Sequence, residues 1–310
     1  MFKNILFYRI APGWAADAVA IESALDKDRF AECGASQELS IGWTEPRGVA
    51  NGPLLESVGG QWLLKLVFES KAVPSSVIKR KTEERLALIE SNTGRKPGKK
   101  ERKEISEDVK LSLLPMAFTK RGAVTVWIDR GAGLLVIDAS SQGRADEAIT
   151  ALVRAIDGLG VLQINTNLTP TTAMANWLTT QEPPAGFSID RECELKAADE
   201  SKSVVKYARH ALDVDEVRQH ITEGKLPTKL AMTWEGRVSF VLTESLQVKK
   251  LVFLDGIFDG TSQEKEDGFD ADAAISTGEL RRVLPDLLAA LGGEMVLGQA
   301  ATTESERDLF

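Results

Sequence analysis

Residues 71–121 constrain the fold more than any other part of the chain, because they are too highly charged to form a hydrophobic core of their own. They contain 14 Lys and Arg residues and 7 acidic residues, a net charge of +7, whereas the whole chain carries −8. Segments typical of strands lie on both sides, at residues 62–68 and 124–128. We therefore interpret the basic stretch as an insertion into a domain of mixed strands and helices.

The inserted stretch has the pattern of a helical hairpin. Two serines precede a predicted helix over residues 77–90, and Gly94 marks its end. Pro97 stands where a first-turn proline would start a second helix that reaches Leu114. The apolar residues of this second helix recur only at every fourth position: Ile105, Val109 and Leu113. With so little core of its own, the hairpin is expected to project from the body.

The rest of the chain predicts an α+β fold in two further parts. A two-residue turn at Glu235-Gly236 joins two strand patterns, and a helix pattern over residues 278–291 ends at two glycines. The expected domains are a central body over residues 1–73 and 119–165, the basic tip over 74–118, an α+β base domain over 166–293, and a flexible tail over 294–310.

Composition and the first residues indicate a soluble cytoplasmic protein. Of 310 residues, 43% are hydrophobic and 27% charged, which is ordinary for a globular protein of this size. The apolar run at residues 5–8 is too short for a signal peptide or a membrane span. Cys33 and Cys193 have no metal-binding spacing, so we expect reduced, buried thiols.

The sequence contains no convincing catalytic motif. His210 and His220 lack partners at metal-ligand spacing, and phosphate-binding, dinucleotide-binding and nucleophile-elbow motifs are absent. We therefore expect no enzyme activity, no catalytic residues, no bound metal and no cofactor. An acid-rich stretch is the remaining candidate for a two-metal site, with a solvated acidic loop as the alternative: Asp255, Asp259, Asp267, Asp270, Asp272 and Glu279.

The charge distribution favours a polyanionic partner near the hairpin. Charges more than about 8 Å apart are largely screened at physiological ionic strength, so distant acids do not cancel the basic block. Four cations, at 95, 96, 99 and 100, lie in the expected hairpin turn, where a phosphate backbone could reach them. A solvated helical surface is the alternative interpretation.

Several segments, in order along nearly the whole chain, resemble the RdgC family of bacterial recombination-associated proteins. The matching segments are Gly42-Trp43-Thr44-Glu45-Pro46, Val49-Ala50-Asn51-Gly52, Pro74-Ser75-Ser76-Val77-Ile78-Lys79, Leu113-Leu114-Pro115-Met116-Ala117-Phe118, Val126-Trp127-Ile128-Asp129, Thr228-Lys229-Leu230-Ala231, Phe269-Asp270-Ala271-Asp272 and Thr277-Gly278-Glu279-Leu280.

The resemblance implies a ring-shaped homodimer that encloses double-stranded DNA with little regard for sequence. Each subunit would consist of a body, a helical tip and a base, with the tips meeting at a gate. The resemblance further implies that the protein associates with the nucleoid and that it restrains the homologous recombination that the RecA recombinase carries out. Binding of single strands is left open, and no membrane partner is expected.

The candidate DNA-contact residues are Lys79, Arg95, Lys96, Lys99 and Lys100 in the hairpin and, from the resemblance, Lys206 and Arg209. Phe118 matches the family's gate position, with a core phenylalanine as the alternative. Met116 departs from the arginine often found there in the family, which weakens the case for a charged contact at the gate but not for an apolar one.

Two other functions stay open. The segment from residue 255 onward has 13 acidic and 4 basic residues, so it could be an acidic module that binds a basic protein. Alternatively, a metal-dependent nuclease could use four of its carboxylates: Asp255, Asp259, Asp270 and Asp272.

Overall fold

The computed structural model describes residues 1–15, 17–254 and 267–295. Asp255, Asp259 and residues 296–310 of the expected tail lie outside this part of the chain. The helices described are α1 (Ala18–Asp26), α2 (Ser75–Thr93), α3 (Lys99–Leu113), α4 (Gln142–Ala155), α5 (Pro170–Thr180), α6 (Asp215–Thr222) and α7 (Asp267–Ala290), with a 3-10 turn at Leu114–Met116. The strands described are β1 (Ile5–Ile10), β2 (Leu39–Thr44), β3 (Glu56–Val58), β4 (Gln61–Lys71), β5 (Thr119–Asp129), β6 (Leu134–Asp138), β7 (Val161–Gln163), β8 (Phe187–Ala197), β9 (Val204–Ala208), β10 (Lys225–Trp234), β11 (Val238–Thr243) and β12 (Val248–Phe253).

The chain divides into two compact units, and the expected mixed α+β class is confirmed. Unit 1 comprises Met1–Ala16, Ser57–Leu63 and Val126–Phe310, and unit 2 comprises Asp17–Glu56 and Leu64–Thr125. The long strands β4 and β5 contribute residues to both units. The domain boundaries expected from the sequence stay a prediction.

Unit 1 is built on a sheet in the order β5-β6-β1-β12-β11-β10-β8-β9. Strands β8 to β12 pair antiparallel, so alternate residues point to opposite faces. One face is apolar and buries Cys193, Leu230 and Phe240 in a core that also contains Trp177 and Leu284, from α5 and α7. The opposite face is therefore available for polar side chains.

Unit 2 contains the order β2-β4-β5, helix α1 and the α2–α3 hairpin. Helix α1 begins after Asp17, whose carboxylate accepts the Val19 N–H at 3.0 Å, and it buries Ile21 and Leu25. The inserted hairpin expected between two strands is present, because α2 and α3 lie between β4 and β5 in the chain.

Several predicted boundaries were wrong, by two and three residues at the two ends of α2 and by more elsewhere. Helix α3 begins at Lys99 with Gly98 as the residue before its first turn, whereas Pro97 lies outside the helix and is buried. Helix α7 begins at Asp267, eleven residues before the expected start. Strands β2, β3, β7, β8 and β9 were not predicted. Polar residues and a glycine separate the apolar residues of β2, and charged residues alternate with the apolar ones in β8.

The expectation for the cysteines holds for one of the two. Cys193 is buried, and burial raises the pKa of its thiol to about 12, so it stays protonated. Cys33 is only half-buried, and its Sγ lies 3.3 Å from the Glu69 carbonyl oxygen. Both thiols are free.

Candidate nucleic-acid interface

The helical hairpin is shaped by its turn. Helix α2 ends at Gly94, which adopts a left-handed φ of 67° and donates its N–H to the Glu90 carbonyl at 2.8 Å. Five residues later the chain enters α3, which packs against α2. The turn therefore places the first residues of α3 beside the last residues of α2.

Few side chains of the hairpin are buried. Thr82 is buried on α2, and Ile105 and Val109 are buried on α3. Leu88 stays 59% exposed and lines a groove of about 350 Å³ between the two helices. Most of the surface is therefore left to charged residues, as the sequence predicted.

The five hairpin cations named from the sequence are all exposed. In the described residues, Lys79, Lys99 and Lys100 have no carboxylate within 4.0 Å. Arg95 pairs with Glu101 at 2.9 Å, and Lys96 lies 3.6 Å from Glu90. Three of the five cations therefore form no ion pair in the described residues, and the other two pair with acidic residues of the same hairpin.

An arginine network lies at the base of the hairpin. Arg121, on β5, contacts Glu69 of β4 and Glu32, each at 2.7 Å, and its guanidinium stacks 4.9 Å from the Phe30 ring centre. Glu69 also accepts the Cys33 N–H at 2.8 Å, and this hydrogen bond and Arg121 hold the pKa of its carboxyl below the ordinary value. Arg121 is consequently engaged within unit 2.

Two apolar side chains that closely follow α3, Met116 and Phe118, are highly exposed. Their exposed fractions are 72% and 93%, so a core position for Phe118 is wrong. Two highly exposed apolar side chains two residues apart make this segment a candidate for a contact with another molecule.

A second basic surface lies on the outer face of the unit 1 sheet. We call it the lysine face; it is formed by Lys206, Lys229, Lys249 and Lys250 with Glu192 and Glu194, and these residues line a cleft of about 360 Å³. Cross-strand pairing brings Glu194 opposite Lys206 on one side and Lys229 on the other. The family resemblance named Lys206, whereas the other three lysines were not named from the sequence.

Glu194 is the centre of this face. Its carboxylate accepts Lys229 at 2.9 Å and Lys206 at 3.1 Å, and the Thr228 hydroxyl donates to it at 2.8 Å. Burial alone raises the pKa of Glu194, but these three hydrogen bonds outweigh burial and hold the pKa at about 2. The side chain is therefore ionised at neutral pH.

Three further residues named from the sequence, Arg209, His210 and His220, lie at the surface of unit 1. Arg209 follows β9 with a positive φ of 56° and an exposed side chain. His220 lies on α6, where its ring Nδ1 is 3.0 Å from Lys225 Nζ, and His210 follows β9. The structure thus places Lys206 on the lysine face and Arg209 just beyond the end of β9.

The described residues contain no group of three or more His, Cys, Asp or Glu side chains arranged to hold a metal ion. Glu279 is engaged by Arg237, whose Nε lies 2.9 Å from Oε2, while Asp270 and Asp272 are exposed on α7.

Across the described residues, none of the helices combines the length and apolar character that crossing a bilayer requires.

Comparison with known proteins gives one consistent result. A family model described as "RdgC: Putative exonuclease, RdgC" matches residues 1–294. The chain is 42% identical over 301 residues to the recombination-associated protein RdgC of Dechloromonas aromatica, covering 95% of this chain and 98% of that protein. It is 44% identical over 297 residues to the protein of the same name from Janthinobacterium sp., and 43% identical over 298 residues to that of Bordetella pertussis; these cover 95% and 94% of this chain and 98% of each relative.

Proposed function

This chain belongs to the RdgC family of recombination-associated proteins, and we propose that it binds double-stranded DNA without reading its sequence. The observation that supports this most is the set of exposed hairpin lysines that have no carboxylate partner in the described residues: Lys79, Lys99 and Lys100. Contacts from lysines to phosphates provide affinity but no sequence discrimination.

The protein acts as a homodimer that closes into a ring around the duplex. Phe118 and Met116 supply an exposed apolar contact of the kind that a second copy would bury. Two-fold symmetry would place two basic hairpins around one DNA molecule, doubling the number of phosphates neutralised. Enclosure of DNA in the nucleoid would in turn restrain the RecA recombinase on the same substrate.

A salt titration with two unrelated duplexes tests the binding mode. If about four cations per subunit reach phosphates, a dimer neutralises about eight, and log K should fall with log salt at a slope near −7. The two duplexes should give equal affinities. A shallow slope, or a strong preference for one duplex, would contradict the proposal.

A nuclease is the second candidate, because the matching family model carries the word exonuclease in its description. The described residues provide no three-residue metal group, and the candidate acids Asp255 and Asp259 lie outside them. We expect linear and plasmid DNA to stay intact after incubation with magnesium or manganese.

The acidic interaction module is tested by a gel shift with the full chain. A protein that binds basic partners in place of DNA would not retard a duplex.

A further inference from the structure

Carboxylates are embedded among the lysines of the lysine face. Glu194 is only 17% exposed, whereas Lys206 and Lys250 are 68% and 64% exposed, so the ammonium groups stand further into solvent than the acid beneath them. Glu192 also pairs with Lys250, at 2.5 Å, but its side chain is 40% exposed. Glu194 therefore lies beneath cations that a phosphate could reach.

We propose that the lysine face contacts DNA phosphates and that Glu194 weakens this contact by competing for Lys206 and Lys229. The inference rests on the proposed function, because it names a second contact surface for the same ligand. It assigns Glu194 a role in tuning affinity.

The geometry explains the direction of the effect. Lys206 and Lys229 share one carboxylate, so their combined positive charge is reduced by one before any ligand arrives. A phosphate that approaches these ammonium groups also approaches Glu194, and like charges repel. A separation of about 6 Å in water corresponds to roughly a threefold loss of affinity for each subunit, or about tenfold for a dimer.

Replacement of the charge by a neutral isostere tests this. Glu194→Gln retains an oxygen that can accept the Thr228 hydroxyl while it frees both lysines. We expect affinity for a duplex to rise about tenfold at physiological salt, and the salt slope to steepen by about 0.9 for each additional phosphate contact. Glu182→Gln, which removes one exposed negative charge before β8, is the matched control and should leave the affinity nearly unchanged.

A double-mutant cycle separates tuning from general electrostatics. In a Lys206→Gln, Lys229→Gln background no lysine holds a phosphate next to residue 194, so Glu194→Gln should no longer increase affinity. Unchanged or reduced affinity of the single Glu194→Gln variant would overturn the inference, as would a gain that persists without the two lysines. If binding depends on the hairpin lysines but not on Glu194, only this inference fails; if the unmodified protein does not bind duplex DNA, the proposed function fails with it.

Discussion

Arg121 and Glu69 join the two strands from which the helical hairpin leaves the sheet. Arg121 Nη2 lies 2.7 Å from Glu69 Oε2, and Nε lies 3.0 Å from the same oxygen. Glu69 stands near the end of β4 and Arg121 near the start of β5, immediately before and after the insertion. The ion pair therefore ties together the two points at which the chain enters and leaves the hairpin.

Glu69→Gln should lower Tm, because it removes the charge that engages Arg121 and accepts the Cys33 N–H. The change can be followed by thermal unfolding at neutral pH. Glu38→Gln removes the partner of Lys110 in an exposed pair of unit 2 and serves as the control, since exposed ion pairs contribute little. Equal Tm values for the two variants would show that the Arg121 pair does not hold the base of the hairpin.

Neutralising the lysines at the start of α3 should weaken DNA binding without affecting the fold. Lys99→Gln with Lys100→Gln removes up to four phosphate contacts from a dimer, so the salt slope should become shallower by about 3.6. Tm should stay constant, because both lysines are exposed. The control variant, Lys27→Gln with Lys202→Gln, should keep the salt slope of the unmodified protein. Equal salt slopes for the two double variants would argue against a hairpin contact.

Met116→Cys should form a disulfide between two subunits if the apolar gate closes. A Cys33→Ser background removes the half-exposed native thiol, and a band of twice the monomer mass on a non-reducing gel reports the cross-link. Val19→Cys, at another exposed apolar position of unit 2, is the control. Cross-linking at both positions alike would indicate random collision. Phe118→Ser should abolish the Met116→Cys cross-link at unchanged Tm.

Gln61→Leu should destabilise unit 1 by about 1–3 kcal/mol, because it leaves a buried indole N–H without an acceptor. Trp127 Nε1 donates to Gln61 Oε1 at 2.9 Å, and both residues are buried. Urea unfolding measures the loss, with the exposed Gln163→Leu as the control. A midpoint equal to that of the control would mean that the indole finds another acceptor.

Acid should destabilise the native protein more than the Glu194→Gln variant. The folded pKa of about 2 lies below the ordinary value of 4.5, so the stabilisation from ionised Glu194 is complete above about pH 4.5 and is lost as pH falls toward 2. The Tm difference between the two proteins should shrink over this range. A difference that is constant with pH would exclude Glu194 as its source.

Local sequence patterns predicted the hairpin well, because charge and a stop glycine act over neighbouring residues. The position of Gly94 fixed the end of α2 correctly. The predicted start of α3 at Pro97 was wrong, because the proline lies before the first turn of the helix instead of within it. Phe118 could be named only from the family pattern, because periodicity does not distinguish an exposed phenylalanine from a buried one.

The lysine face could not be predicted in the same way. Lys206, Lys229 and Lys249 belong to three separate strands, and only the cross-strand register brings them together. The alternation of apolar and charged residues in β8 was a usable signal for a strand with two different faces. Which carboxylate would meet which lysine depends on register shifts between β8 and β10, which no local pattern encodes.

The length of α2 sets a minimum size for the ligand. From Lys79 to the last residue of α2, Thr93, the helix rises by about 21 Å at about 1.5 Å per residue, and Lys99 begins α3 beside that end. A double helix rises about 3.4 Å per base pair, so this distance corresponds to about six base pairs of a duplex that lies along the arm. If the protein binds DNA along this arm as proposed, shorter oligonucleotides would not reach both lysines at once, and strand length, independently of sequence, would determine how firmly they are held.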